Sequence, residues 1–215
     1  MKAVGIFATL AVSAASLAQA DVTYRFYSVT AELPPAIQAG NWPAQIDSAQ
    51  LLTPTSAWFD CTGDGDYCGA SLGYTLSPTR SLTVTASTGQ VIQDFAPTDG
   101  GLGANDGSLN GDNINAGETV TLTFDQSTTL SGIYAWSNHY YGDPNATFMV
   151  DEQSFSFGAA GSWVDANLTG TTFTFSHTGT DFYVGALRVV PEPATLAIMG
   201  LGLMGAGFAR RAKRA

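Results

Sequence analysis

The chain has 215 residues, of which 18 are acidic and eight are basic, so its formal net charge is −10. Residues 21–190 hold 17 of the acidic residues and only three basic ones, Arg25, Arg80 and Arg188, a formal charge of −14. Binding of phosphate groups relies on lysine and arginine, and an acidic surface repels other anions. The composition therefore excludes nucleic acid and anionic lipid headgroups as partners of this segment.

The first twenty residues have the pattern of a secretory signal peptide. Lys2 precedes an apolar stretch over residues 3–17, and Ala18-Gln19-Ala20 supplies the small residues of a cleavage site. We therefore predict a signal peptide at residues 1–20, which passes through the general export machinery and is removed by signal peptidase. The body then begins at Asp21 and enters an oxidising compartment.

Residues 21–190 are enough for one domain with a sizeable core, and their short runs of alternating apolar and polar residues predict β-strands. The clearest run is residues 118–124, where Val120, Leu122 and Phe124 share one face and threonines share the other. Similar runs predict strands at residues 22–27, 81–86, 91–95, 129–137, 147–150, 154–157, 171–176 and 182–190.

The connections between these runs complete the prediction of the fold. Residues 87–89, Ser-Thr-Gly, favour a hairpin turn, and residues 44–52 carry the one short helical pattern. Strands separated by turn residues at this spacing are typical of sandwiches and barrels. We therefore predict an all-β fold: a single antiparallel β-sandwich over residues 21–190, jelly-roll-like in topology.

Cys61 and Cys68 are the only cysteines of the chain. Two cysteines seven positions apart in an exported protein predict a disulfide bond. A structural zinc site would need four ligands, and no second Cys/His cluster lies nearby in the sequence.

Two acidic loops present oxygen ligands of the kind that Ca²⁺ prefers. The first carries Asp60, Asp64 and Asp66, and the second carries Asp106 and Asp112 among several asparagines. Neither loop has the full EF-hand pattern, and aspartate and asparagine are also the ordinary residues of tight turns. Two interpretations follow: a calcium site in either loop, as the one cofactor the sequence suggests, or turns without a metal.

An aromatic group at the end of a predicted strand is a candidate sugar-binding site. It consists of Trp136, His139, Tyr140 and Tyr141. Aromatic rings pack on the apolar faces of sugars, and a few polar groups then fix the orientation. The alternative is that Trp136 belongs to the core and the tyrosines lie at a rim of the sandwich.

Histidines are scarce in the sequence. His139 and His177 are the only two, and the chain has no His-Glu-x-x-His motif. The sequence therefore predicts no enzyme and no catalytic residue.

The C-terminal segment, residues 191–215, combines three signals in order. Pro191, Glu192 and Pro193 interrupt regular structure, because each proline fixes φ and constrains the residue before it. An uncharged tract over residues 194–209 follows, roughly 24 Å long as a helix. The basic tip, which should stay cytoplasmic, consists of Arg210, Arg211, Lys213 and Arg214.

This arrangement resembles the PEP-CTERM sorting signal of proteins exported by Gram-negative, exopolysaccharide-producing bacteria. The resemblance implies that residues 194–209 form a transmembrane sorting helix that lies transiently in the inner membrane. It also implies that an exosortase recognises Pro191, Glu192 and Pro193, and that the protein then reaches the cell surface or extracellular matrix.

Three functions are compatible with this route. The first is a non-catalytic structural or adhesive role in an exopolysaccharide or biofilm matrix. The second is a carbohydrate-binding module, either calcium-dependent or not, with exopolysaccharide as its partner. The third is a hydrolase of matrix polysaccharide.

Overall fold

The alternating sequence pattern corresponds to a fold built from strands. The computed structural model describes residues 21–27, 49–55, 57–59, 66–94, 100–105, 113–137, 146–157 and 163–190, with only the backbone at 58–59 and 136–137. These ranges contain thirteen strands and no helix.

The strands range from two residues to nineteen. In chain order they are β1 (Val22–Arg25), β2 (Gln50–Leu51), β3 (Trp58–Phe59), β4 (Tyr67–Gly69), β5 (Ser71–Ser77), β6 (Arg80–Ala86), β7 (Gln90–Asp94), β8 (Gly101–Asn105), β9 (Thr119–Ser137), β10 (Thr147–Val150), β11 (Gln153–Ser156), β12 (Val164–His177) and β13 (Phe182–Val190).

All the described strands belong to one hydrogen-bonded network. Its longest path runs β11-β10-β12-β9-β13-β8-β7-β4-β3. Strand β6 joins the path at β9 and carries β5, while β1 joins at β13 and carries β2. The pairings are antiparallel, apart from the short parallel pair of β1 and β2.

The sheet divides along one edge of β9, into a β6 branch and a β13 branch. Residues 120–124 of β9 pair with β6, whereas residues 129–137 pair with β13. Strand β12 follows the opposite edge of β9 across both regions, with register shifts after Asp165 and Gly170. Arg80 ties the β5–β6 turn to the point of division, because its Nη2 lies 2.5 Å from Thr128 Oγ1.

One hydrophobic cluster draws on both branches. It includes Leu82 and Val84 of β6 together with Val184 and Leu187 of β13. Phe148 of β10 is surrounded by aromatic rings, with centroid distances of 5.7 Å to Phe155, 4.8 Å to Phe157, 6.4 Å to Phe175 and 5.4 Å to Phe182. Because β10 lies beyond β12 on one side of β9 and β13 lies on the other side, these contacts join strands from opposite sides of β9.

The predicted all-β, antiparallel class is confirmed, and β10 and β13 have the predicted bounds. The jelly-roll-like sandwich stays a prediction, because the described strands form one branched sheet.

Two local predictions are wrong. Residues 87–89 do not close a hairpin: Ser87 N donates to Thr119 O and Ser87 Oγ accepts from Thr119 N, so the chain continues beside β9 before crossing to β7. The predicted helix over 44–52 fails at its described end, where residues 50–51 form β2 beside β1.

The described residues belong to one compact unit, Asp21–Pro191. The predicted signal peptide (1–20) and sorting segment (191–215) lie outside the described residues, so the predicted boundaries stay predictions. Across the ranges that the structure describes, no helix has the length and apolar character needed to cross a membrane.

Candidate functional site

The predicted sorting segment follows the last strand of the sheet without a linker. β13 ends at Val190, and Pro191 is the next residue. Val189 is buried and pairs with Leu130 of β9, while Val190 is half-buried and pairs with Thr129. Pairing therefore holds β13 in the sheet up to the residue that precedes the Pro-Glu-Pro element.

The first strand of the body lies beside this last strand. β1 pairs with β13 from Val22 opposite Val189 to Arg25 opposite Ala186. Just before β1, Asp21 Oδ2 lies 2.5 Å from the hydroxyl of Ser131 on β9. Asp21, the predicted first residue of the mature chain, and Val190, the last residue before the sorting segment, therefore lie at the same end of the sheet.

The predicted disulfide can be placed at one of its two residues. Cys68 is 1% exposed at the centre of β4, between Trp58 of β3 and Ile92 of β7. Cys61 lies outside the described residues, so the bond stays a prediction. A buried position on a strand paired on both sides suits a structural cysteine better than a reactive one.

The two acidic loops are described only in part. Asp66 is 3% exposed directly before β4, whereas Asp60, Asp64, Asp106 and Asp112 lie outside the described residues. Within the described ranges, no three His, Cys, Asp or Glu side chains are grouped so as to hold a metal ion. The calcium interpretation therefore remains a prediction.

The end of the second loop is fixed by hydrogen bonds around Glu118. This carboxylate is 4% exposed and accepts bonds from Asn115 N (2.9 Å), Asn115 Nδ2 (3.0 Å) and Thr88 Oγ1 (3.0 Å). A buried carboxylate needs such partners to offset its lost hydration. The hydrogen bonds between Glu118 and Asn115 therefore stabilise the turn that leads from this loop into β9.

The predicted aromatic site is described only at Trp136. Its backbone lies on β9 opposite Tyr183 of β13, and its side chain is not described. His139, Tyr140 and Tyr141 lie outside the described residues. Both interpretations of these aromatics, sugar binding and the rim of the fold, therefore stay open.

A different aromatic group, which the sequence did not single out, occupies the β13 branch. Trp163 lies 5.6 Å from Tyr134, ring centroid to ring centroid, and the Arg188 guanidinium carbon lies 4.4 Å from the Trp163 centroid. Gly132 makes room for both, since a Cβ there would meet Trp163 Cε3 at 3.2 Å and Arg188 Cβ at 3.4 Å. Burial, with a smaller effect of Tyr27, raises the pKa of Tyr134. This group is therefore neutral apart from Arg188.

His177, the described histidine, is engaged within its own turn. Its Nδ1 accepts a hydrogen bond from Gly179 N at 3.1 Å, and its Nε2 lies 3.3 Å from Asp181 Oδ1. The contacts fix the turn between β12 and β13.

Residues 189–214 match the model of the PEP-CTERM protein-sorting motif. No curated protein and no solved structure matches the chain. The resemblance found in the sequence is confirmed, and the matched range contains the Pro-Glu-Pro element and the basic tip. The motif indicates an exported, membrane-anchored precursor that an exosortase sorts to the cell surface.

Proposed function

We propose that this chain, which carries the PEP-CTERM protein-sorting motif, has a non-catalytic structural or adhesive role in an exopolysaccharide or biofilm matrix. The observation that carries the proposal is the position of the motif. It begins at Val189, inside the last strand of the sheet, and runs to residue 214. The sheet itself is therefore the cargo that the motif delivers.

The proposed path begins with export and signal-peptide removal before Asp21. The tract 194–209 then holds the precursor in the inner membrane of a Gram-negative cell, and exosortase acts at Pro191, Glu192 and Pro193. The basic tip, with Arg210 and Arg211 at its start, stays cytoplasmic and stops transfer. The body of formal charge −14 is delivered to the cell surface or matrix, where its acidity favours solubility.

The branched sheet supports a scaffold role through its continuous pairing. β9 and β12 are nineteen and fourteen residues long and pair across both branches. Because the two branches share one hydrophobic cluster, we also propose that they pack face to face as a sandwich. Continuous pairing of this kind suits a scaffold.

The sorting step is tested in an exosortase-encoding host with Pro191→Ala and Pro193→Ala combined. We expect the intact precursor to accumulate in the inner membrane, because the recognition element is lost while the hydrophobic tract remains. Pro78→Ala, in the β5–β6 turn, is the matched control and should be delivered normally. Normal processing and delivery of the double variant would contradict the proposal.

The non-catalytic part is tested on the delivered protein. Incubation with the host's own exopolysaccharide should release no reducing ends above those of a heat-denatured sample. Release that depends on folded protein would establish the hydrolase instead.

A further inference from the structure

The outer face of the sheet where β6, β9 and β12 lie side by side carries a regular grid of threonines, which we call the threonine grid. Thr83 of β6, Thr123 of β9 and Thr172 of β12 form one row, because each pair is in register across neighbouring strands. The adjacent row has the same composition, and its members are Thr85, Thr121 and Thr174. Register partners share a face of a sheet, so the six side chains form two rows on three strands.

This face is opposite the core. The residues that alternate with the grid, among them Val84, Leu122 and Phe173, are buried in the hydrophobic cluster. In the grid Thr83, Thr85, Thr123 and Thr172 are exposed, and Thr121 and Thr174 are half-buried by their neighbours. The two rows continue onto β5 at Gly73 and Ser71. The face is therefore exposed to solvent, has no large side chains in these rows and is covered with hydroxyl groups.

The charged residues beside this face are acidic. No charged residue occupies the two rows, and the acidic residues at their margins are Asp125, which follows on β9, and Asp151, whose Oδ1 accepts from Thr174 N at 2.9 Å. With carboxylates at the margins and a body of formal charge −14, a polyanion is repelled. An uncharged partner meets no such penalty.

Two of the six hydroxyl groups are hydrogen-bonded to each other. Thr121 Oγ1 and Thr174 Oγ1 lie 3.3 Å apart and share one hydrogen bond. Each hydroxyl is one donor and two acceptor sites, so the pair keeps free capacity on its outer side. Threonine side chains are stiff at χ1, so little rotamer entropy is lost when a partner binds.

From this placement we infer that the threonine grid binds a neutral polysaccharide, an inference that rests on the proposed matrix function. Hydroxyl groups repeat about every 4.8 Å across the strands and about every 6.8 Å along them. A polymer of uncharged sugars offers repeated hydroxyl donors and acceptors together with C–H faces for the threonine methyl groups. Each contact is weak, and affinity comes from many contacts along one chain.

The test uses the full-length chain, purified in a detergent without sugar groups, and three uncharged solid phases: cellulose, agarose and cross-linked dextran. Carboxymethyl cellulose is the charged counterpart. We expect saturable retention on at least one neutral polymer and weaker retention on carboxymethyl cellulose. Removing three hydroxyls, in Thr85→Val, Thr121→Val and Thr174→Val combined, should weaken binding roughly tenfold or more.

Two further variants show whether binding depends on the hydroxyl groups of the threonine grid. The corresponding triple serine variant retains the hydroxyls and should bind within a few-fold of the parent. Thr129→Val with Thr169→Val is the matched control, because their hydroxyls lie 2.8 Å apart in the region of β9 that pairs with β13. The control should bind like the parent.

Absence of retention on all three neutral polymers would overturn the inference, as would equal binding by a folded valine variant. A grid-dependent dimer in sedimentation velocity, without retention, would assign the face to a second copy and overturn it too. The sorting of the chain is measured separately with the Pro191/Pro193 variant, so failure of polysaccharide binding leaves that result intact.

Discussion

Val22 and Val189 are register partners across β1 and β13, although 167 positions separate them in the sequence. Val189 is buried, and Val22 is half-buried against the same hydrophobic cluster. The strand that follows the predicted signal peptide is therefore paired with the strand in which the sorting motif begins. Both junctions, before Asp21 and after Val190, lie at one end of the sheet.

A buried glutamine joins two strands to the segments that directly follow β1 and β2. Gln93 of β7 is fully buried; its Nε2 donates to Phe26 O (2.8 Å) and Leu52 O (2.7 Å), and its Oε1 accepts from the Tyr74 hydroxyl (2.9 Å). Gln93→Leu removes all three bonds, and each buried group left unpaired costs about 1–3 kcal/mol. We expect urea denaturation to show a loss of roughly 3–6 kcal/mol in the free energy of unfolding. Tyr74→Phe removes one bond and should cost about 1 kcal/mol; equal effects of the two changes would contradict this role.

Gly101 permits a close backbone approach between β8 and β13. Its φ is +155°, and a Cβ there would lie 2.8 Å from Val184 O and 3.1 Å from Gly185 Cα. Gly101→Ala should destabilise by roughly 2–4 kcal/mol, because both strain and a backbone clash arise. Gly117→Ala is the matched control: φ is +85° but the space is open, so strain alone should cost about 1–2 kcal/mol. Thermal unfolding of both variants measures the difference, and a smaller effect at Gly101 would rule out the clash.

Two buried tyrosines make the fold sensitive to alkali. Burial raises the pKa of Tyr74 well above 10.0, and burial with a smaller effect of Tyr27 raises that of Tyr134. Because the folded state keeps these protons while the unfolded state releases them from about pH 10, stability falls as pH rises above that value. Phenolate absorbance should therefore show a cooperative step that coincides with loss of the far-ultraviolet circular dichroism signal. Ionisation of all eight tyrosines before unfolding would contradict the assignment.

The disulfide prediction concerns Cys61 and Cys68. Mass spectrometry of the exported protein should show the peptide that spans both cysteines two hydrogens lighter than its reduced form. Cys61→Ala and Cys68→Ser should each destabilise, by roughly 2–3 kcal/mol for the lost link. The buried position of Cys68 on β4 adds to the second variant, because serine there is a buried hydroxyl. Free thiols in the exported protein would refute the bond.

The sequence predicted strands where the alternation is regular and failed where tertiary contacts decide. Val120, Leu122 and Phe124 were predicted to share one face of a strand, and all three lie in the hydrophobic cluster. Strand β13 was predicted with its observed bounds. Strand β8, Gly101–Asn105, was missed because glycine and asparagine have low strand propensity, and pairing with β7 holds this segment. The first half of β12 was missed as well, since its pattern is interrupted by a register shift and by Asn167 at φ +53°.

The candidate site was predictable to different degrees. The Pro-Glu-Pro element, the apolar tract and the basic tip are contiguous, so they are readable from residues 191–215 alone. The threonine grid depends on the register of three strands that are distant in sequence, and Thr83, Thr123 and Thr172 have no common sequence signal beyond alternation. Likewise, nothing in the sequence places Arg188 over Trp163.

The central claim, that the chain is exported and sorted by exosortase to the cell surface, is tested most directly by the intact mass of the protein recovered there. The account predicts a chain that begins at Asp21 and is shorter than residues 21–215 at its C-terminus. The Pro191/Pro193 variant should yield no such species, only a membrane-bound form that ends at Ala215. Recovery from the surface of a chain that still ends at Ala215, from parent and variant alike, would contradict the account.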